Sequence, residues 1–161
     1  MNLQEYKPKV AISVGDINGI GCEVIVKALA DKNILDFFTP VIFGSTKHLN
    51  FYKNQLKDES IQFFGINSPD KAVERKINVV NLWKEPAQME FGNATETSGR
   101  LAFESLKAAA ESVKNGECDV LVTAPINKKN IQSEAFNFPG HTEYLGEVWC
   151  GKPLMFLVTE M

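Results

Sequence analysis

Long apolar runs are missing from this 161-residue sequence, and none approaches the roughly 18 residues of a membrane-spanning helix. The beginning also lacks a secretory signal, because its first apolar run is broken by Gly15 and Asp16. Cysteine is scarce: the three residues are far apart and form no CxxC pair. These absences predict a cytoplasmic protein, outside the membrane, with reduced thiols that are buried or semi-buried.

An excess of one charge is missing as well. The 17 basic and 20 acidic residues are well mixed and give a net charge of -3, with no basic patch, so we expect no nucleic-acid partner. With 44% hydrophobic residues and only 11 glycines and 7 prolines, the chain is neither disordered nor collagen-like. Its length is sufficient for a compact domain with a sizeable core.

What is present is an alternation of strand and helix patterns. Short β-rich apolar runs predict strands at 9–14, 40–44, 61–64, 77–82, 119–123 and 153–159. Helical spacing predicts helices at 20–30, 46–56, 97–115, 127–135 and 141–149. The alternation favours an α/β fold with a mainly parallel sheet and helices on both faces. The stretch 83–98 lacks periodicity and predicts a long loop, a type of segment that is often functional.

A glycine-rich loop, Gly15 to Gly21, lies between the first predicted strand and helix. Its glycines allow close approach of the backbone to a ligand, and the following helix offers free N–H groups. Asp16 is expected to bind a ligand hydroxyl or amide, with Asn18 in the same cleft. The spacing matches neither GxGxxG nor GxxxxGK. The alternative is a tight turn in which Asp16 caps the backbone.

A second strand-to-helix turn runs from Thr123 to Lys128. Asn127 and Lys128 are expected at the carboxyl edge of the sheet, where an amide and a cation are suited to a phosphate or carboxylate. The alternative is a helix begun by Pro125 with a solvated lysine.

A third turn, Pro139 to Glu143, places His141 and Thr142 at the start of a helix. The helix dipole there disfavours an imidazolium, so a neutral His141 and Thr142 are suited to donate hydrogen bonds to a substrate oxygen. The alternative is a capping Thr142 beside a surface histidine. The other histidine, His48, has no second ligand at metal spacing and is expected on a helix surface.

Taken in order, the motifs resemble the 4-hydroxythreonine-4-phosphate dehydrogenase family. The GD-x-x-GIG-P-E opening of that family is matched by residues 15–23, where Cys22 replaces the usual proline. Its T-[AG]-P-x-x-K motif is matched by residues 123–128, its F-x-GHTE motif by residues 138–143, and its SGR helix start by residues 98–100. The resemblance runs from about Lys9 to the end of the chain.

The resemblance implies a fold similar to isocitrate and isopropylmalate dehydrogenases, here truncated. Residues 1–161 would be the N-terminal portion of a two-subdomain enzyme, with about 1–120 in the first subdomain and about 121–161 beginning the second. It also implies a homodimer and a cleft between the subdomains. His141 and Thr142 carry over as substrate-binding residues, whereas Asp16, Asn18 and Lys128 are expected to line the cleft.

The implied reaction is NAD-dependent oxidation and decarboxylation of 4-phosphooxy-L-threonine, a small phosphorylated amino acid, in pyridoxine 5'-phosphate biosynthesis. A divalent metal (Zn, Mg or Co) assists the family as a Lewis acid. Its three histidine ligands follow the GHTE motif, and this sequence has no histidine after His141. We therefore expect no metal site in this chain, no dehydrogenase activity of the chain alone, and metal ligands beyond residue 161; the residues that contact NAD are not identified.

Three other functions stay open at this point. The protein could act on another phosphorylated hydroxy acid, since the same motifs would serve it. It could be a non-catalytic, truncated binding module that keeps half of a cleft. It could also be an acyl or phosphoryl transferase with a phosphorylated ligand, which would turn over without NAD.

Overall fold

The computed structural model describes residues 6–83 and 88–158 and contains one parallel sheet. Its strands are β1 (Lys9–Ser13), β2 (Thr39–Gly44), β3 (Phe63–Ile66), β4 (Ile77–Asn81) and β5 (Val120–Thr123). They are ordered β3-β4-β2-β1-β5, and every pair is parallel. Ile12 of β1 lies between Ile42 of β2 and Val122 of β5. Five of the six predicted apolar runs are therefore strands of one parallel α/β sheet, with β3 and β5 at its edges.

Helices cover both faces of the sheet, as predicted. They are α1 (Gly21–Ala28), α2 (Thr46–Gln55), α3 (Glu96–Lys114) and α4 (His141–Val148), with 3-10 turns at Lys32–Asp36 and Pro69–Lys71. Core residues of α1 and α2, such as Val26 and Leu49, pack on one face with Ile12 and Ile42. Ala109 of α3 packs on the other face with Ala11. Alternate residues of one strand thus point to different helical layers.

The long helix α3 is the element best explained by local sequence. Thr95 caps its start by accepting a hydrogen bond from the Ser98 N–H at 3.1 Å. Gly116, in a left-handed conformation (φ 74°), follows its end. One side of α3 packs on the sheet, and Ala102, Leu106 and Ala110 pack on a third cluster of apolar residues. The aromatic members of this cluster are Phe103, Phe136, Phe138 and Tyr144.

The predicted helix at 127–135 is wrong. The segment forms turns and an isolated antiparallel bridge between Ser133 and Phe136. The Asn127 carboxamide oxygen accepts hydrogen bonds from the N–H groups of Lys129 (2.9 Å) and Asn130 (3.3 Å). Such local side-chain bonds compete with helix formation, and they explain the turn.

The strand predicted at 153–159 is also wrong for its described part, 153–158; Thr159 lies outside the described residues. Residues 154–158 have no regular structure, and their side chains are 68–93% exposed. A β-strand needs a neighbouring strand for its backbone hydrogen bonds. Among the described residues, no strand pairs with this apolar segment.

Smaller corrections concern which side chains are buried. Ile20 and Val24, at apolar positions of the helix predicted at 20–30, are 62% and 49% exposed. His48, expected at the surface, is 2% exposed and lies beside the Trp83 ring, with centroids 5.9 Å apart. Cys150 is exposed, unlike Cys22 and Cys118. In the described residues, no helix is both long and apolar enough to cross a membrane.

Candidate functional site

The candidate site lies at the carboxyl ends of the neighbouring strands β1 and β5. From β1 the chain leads to β2 on one side, whereas β5 pairs on the other side, so the strand order reverses between β1 and β5. Ser105 of α3 bridges β1 and β2 at this edge, since its hydroxyl accepts from the Val14 N–H (2.9 Å) and donates to the Phe43 carbonyl (2.6 Å). Parallel α/β sheets bind ligands outside the carboxyl ends of the strands at such a reversal of strand order.

The glycine-rich loop is packed tightly against the segment after β5. The Asp16 N–H donates to the Pro125 carbonyl at 3.0 Å. Gly15 has φ 67°, and a Cβ at this position would overlap the Pro125 carbonyl oxygen. Behind the loop, the Tyr52 hydroxyl donates a hydrogen bond to the Ile17 carbonyl oxygen (3.0 Å). Gly15 is therefore required for contact within the protein.

The buried polar residues of this loop belong to what we call the asparagine network: Asp16, Asn18, Thr95, Ser98 and Asn130. One Asp16 carboxylate oxygen accepts from the Asn18 N–H (2.8 Å), and the other accepts from the Asn130 amide (2.9 Å). The Asn130 amide also reaches the Thr95 carbonyl (3.0 Å) and the Ser98 hydroxyl (2.8 Å). Asp16 thus ties the loop after β1 to the start of α3.

Asn18 extends the network to the loop before α3. Its amide donates to the Asn93 carbonyl (2.9 Å) and the Thr95 hydroxyl (3.2 Å), and its oxygen accepts from the Glu90 N–H (2.8 Å). Asp16 and Asn18 are only 6% and 4% exposed. Their polar atoms are engaged by the protein, so both residues shape this edge of the sheet by positioning its loops.

A cleft of about 320 Å³ remains between these loops. It is lined by the glycine loop from one side, by residues 92–94 from another, and by Pro125, Ile126 and Asn127. Its size is at the lower end of the range for small-molecule sites. The backbone of three loops and a few polar side chains form its walls.

The second group of site residues, here the histidine cluster, consists of Lys128, Gly140, His141 and Thr142. Gly140 precedes α4, His141 is its first residue, and the Lys128 side chain lies beside Gly140. Burial lowers the pKa of His141, and the nearby Lys128 ammonium lowers this pKa further. The buried His141 Nε2 has no hydrogen-bond partner among the described residues. A neutral imidazole with a free nitrogen suits a hydrogen bond to a ligand.

The five predicted site residues therefore fall into two groups. Asp16 and Asn18 lie in the asparagine network, whereas Lys128, His141 and Thr142 lie in the histidine cluster. The segment after β5 connects them, because Asn130 binds Asp16 while Gln132 donates to the Lys128 and Phe138 carbonyls (3.2 and 2.8 Å). Only Asp16 and Asn18 of the five line the cleft described above.

Sequence reasoning missed Asn130, whose amide joins Asp16 to Thr95 and Ser98. Asn130 lies 114 residues from Asp16 and 35 from Thr95, so no local pattern links the three. The local signal for Asn130 is its position just after the predicted turn from Thr123 to Lys128. The spacing of the following residues predicts a helix at 127–135 and so hides this signal. Within residues 6–83 and 88–158, no three His, Cys, Asp or Glu side chains group as metal ligands.

Comparison of the sequence with known proteins identifies relatives of this chain. The family model described as "Pyridoxal phosphate biosynthetic protein PdxA" matches residues 36–161. A 4-hydroxythreonine-4-phosphate dehydrogenase of Bacteroides thetaiotaomicron is 41% identical over 145 residues, which cover 90% of this chain and 40% of that protein. A D-threonate 4-phosphate dehydrogenase of Cupriavidus necator is 30% identical over 145 residues, or 89% of this chain and 43% of that protein.

A solved structure agrees with the sequence comparison. The 4-hydroxythreonine-4-phosphate dehydrogenase of Burkholderia phymatum superimposes with a TM-score of 0.83 at 29% identity, covering 92% of this chain and 45% of that one. The chain thus spans less than half the length of these relatives.

Proposed function

The chain belongs to the PdxA family of pyridoxal phosphate biosynthetic proteins, and from this premise we propose that it is the substrate-binding portion of a 4-hydroxythreonine-4-phosphate dehydrogenase. The proposed reaction of the whole enzyme oxidises the 3-hydroxyl of 4-phosphooxy-L-threonine and releases the carboxyl carbon as CO2. The product is 3-amino-2-oxopropyl phosphate. NAD would accept the hydride.

The observation that carries the proposal is the environment of His141. Its ring nitrogen is buried without a protein partner, at the start of α4 and near the ammonium of Lys128. We assign His141, as a neutral imidazole, and Thr142 to hydrogen bonds with substrate oxygens. Lys128 supplies a positive charge for a carboxylate or phosphate. Of these three residues, Lys128 is exposed, and the Nε2 of His141 is buried without a partner among the described residues.

Asp16 and Asn18 have a different role in the proposal. Their side chains are bonded to protein partners, so we assign them to holding the cleft walls in place. Positioned walls lower the entropy lost when a substrate is bound and oriented.

The divalent metal of the family does not fit the described residues, which contain no group of three suitable ligands. We propose that its ligands lie outside this chain. We also propose that the whole enzyme has two subdomains, the second of which begins at about residue 121, and that it is a homodimer. Both are proposals from family membership.

The test measures substrate binding and turnover separately. Titration of the purified chain with 4-phosphooxy-L-threonine should shift the His141 ring signals in NMR spectra, and unphosphorylated L-threonine should not. Thr142→Val should weaken this binding by about tenfold, as expected for loss of a hydrogen bond to a charged ligand. The chain alone should not reduce NAD with Zn²⁺ or Mg²⁺ present; NAD reduction under these conditions would show that the assignment of metal ligands is wrong.

A second candidate substrate is D-threonate 4-phosphate, because relatives that are 30–31% identical have been named for it. It carries the same phosphate but a hydroxyl in place of the amino group. The 41% identity to the relative named for 4-hydroxythreonine 4-phosphate favours the amino acid. Parallel titration with both compounds decides between them, and tighter binding of the threonate would reverse the assignment.

A further inference from the structure

A second cavity lies at the opposite edge of the sheet, near the amino ends of β3 and β4. Its volume is about 360 Å³, within the range of small-molecule sites. Its floor is apolar and well packed: Leu29, Ile61 and Ile77 line it and are only 2–4% exposed. The candidate site at the carboxyl ends of β1 and β5 shares no lining residue with it.

The rim of this cavity is positively charged in a protein with a net charge of -3. Lys32, Arg75 and Lys76 line it, and no acidic residue does. Asp36 forms an ion pair with Arg75, whereas Lys32 and Lys76 form no salt bridge among the described residues. Two such cations suit a dianion such as a phosphate monoester.

Two of the rim cations are held in place by the fold. Asp36 holds the Arg75 guanidinium, and the Lys76 ammonium lies over the Phe64 ring, 4.4 Å from its centroid. Arg75 also has φ 58°, a conformation that few residues other than glycine adopt. Left-handed residues of this kind are enriched at ligand-binding sites.

We propose that this cavity binds a small aromatic or similarly flat apolar molecule that carries a phosphate group. The apolar body rests on Leu29, Ile61 and Ile77, and Phe63 and Phe64 lie at its side. The phosphate faces Lys32, Arg75 and Lys76. An apolar floor beneath a cationic rim selects for both features of the ligand together, because neither part alone satisfies both surfaces.

The test uses phenyl phosphate as the probe, with inorganic phosphate and phenol as its two separated halves. Amide NMR signals of residues 60–64 and 75–77 should shift saturably with phenyl phosphate. Each half should bind at least about tenfold more weakly. Equal binding of inorganic phosphate would overturn the proposal, as would shifts confined to residues around Asp16 and His141.

A pair of matched charge variants completes the test. Lys76→Gln should weaken phenyl phosphate binding by about tenfold or more, as expected for the loss of a charged hydrogen-bond donor. Lys107→Gln removes the same charge from the exposed surface of α3 on the other face of the sheet and should leave binding unchanged. Unaltered affinity in Lys76→Gln, with the fold intact by circular dichroism, would contradict the proposal.

Discussion

The asparagine network and the histidine cluster lie at the same edge of the sheet but differ in how their polar groups are used. In the network, both carboxylate oxygens of Asp16 and all polar atoms of Asn18 have protein partners. In the cluster, the buried Nε2 of His141 has none among the described residues, and Lys128 is exposed. The network contains one such atom as well, the buried Oδ1 of Asn130. The cluster is the better candidate for ligand contact because its unpartnered imidazole lies near Lys128, an exposed cation, and the network is the better candidate for support.

The largest loss of stability is expected for a substitution that disturbs the close packing of the loop after β1 against Pro125. Gly15→Ala combines an unfavourable left-handed backbone with overlap at Pro125 and should lower the free energy of unfolding by about 3 kcal/mol. Gly92→Ala is a matched control, since Gly92 has φ 78° but open space around it, and should cost only about 1 kcal/mol. Urea denaturation measures both. Equal losses would mean that the contact with Pro125 is unimportant.

Removing the centre of the network should have the next largest effect. Asn130→Ala removes the amide that reaches Asp16, Thr95 and Ser98 and leaves one carboxylate oxygen of Asp16 without its partner, so we expect a loss of about 2 kcal/mol. Asn137→Ala, at an exposed position three residues before the helix α4 cap, should leave stability unchanged. If both variants unfold at the same urea concentration as the parent, the network is not a support.

The histidine cluster is expected to respond to pH instead. The pKa of His141 is lowered by burial and by Lys128, so the unfolded chain takes up this proton at a higher pH than the folded protein. The resulting stability is therefore complete above the ordinary histidine pKa of about 6.5 and falls as pH drops towards the lower folded value. NMR titration of the ring should show that lowered pKa, and Lys128→Gln should raise it. If this variant leaves the His141 pKa unchanged, the charge of Lys128 does not lower that pKa.

The smallest effect on stability is expected for Lys128→Gln. The side chain is exposed, so the free energy of unfolding at about pH 8 and above should not change, whereas binding of 4-phosphooxy-L-threonine should weaken. Lys129→Gln, which removes the same charge from the adjacent exposed residue, should bind the substrate like the parent protein. Calorimetric titration of both variants measures the difference. Similar weakening in both would reduce the role of Lys128 to general surface charge.

The sequence alone determined the elements whose periodicity and end signals are strong. All five strands of the sheet and helices α1 to α4 were predicted within about two residues, since β-rich runs and capping residues are local properties. The family resemblance was confirmed by the match to the PdxA model. The assignment of His141 and Thr142 to substrate stays a prediction.

Only the tertiary structure decided what lies opposite each polar group. Asp16 finds its amide partner 114 residues away in Asn130, and Asn127 uses its side chain to form a turn where the apolar spacing indicated a helix. His48 is buried because Trp83 lies beside it, and residues 153–158 form no strand because no neighbouring backbone pairs with them. Periodicity reports which side of an element is apolar, whereas hydrogen-bond partners and strand pairing depend on residues that are distant along the chain.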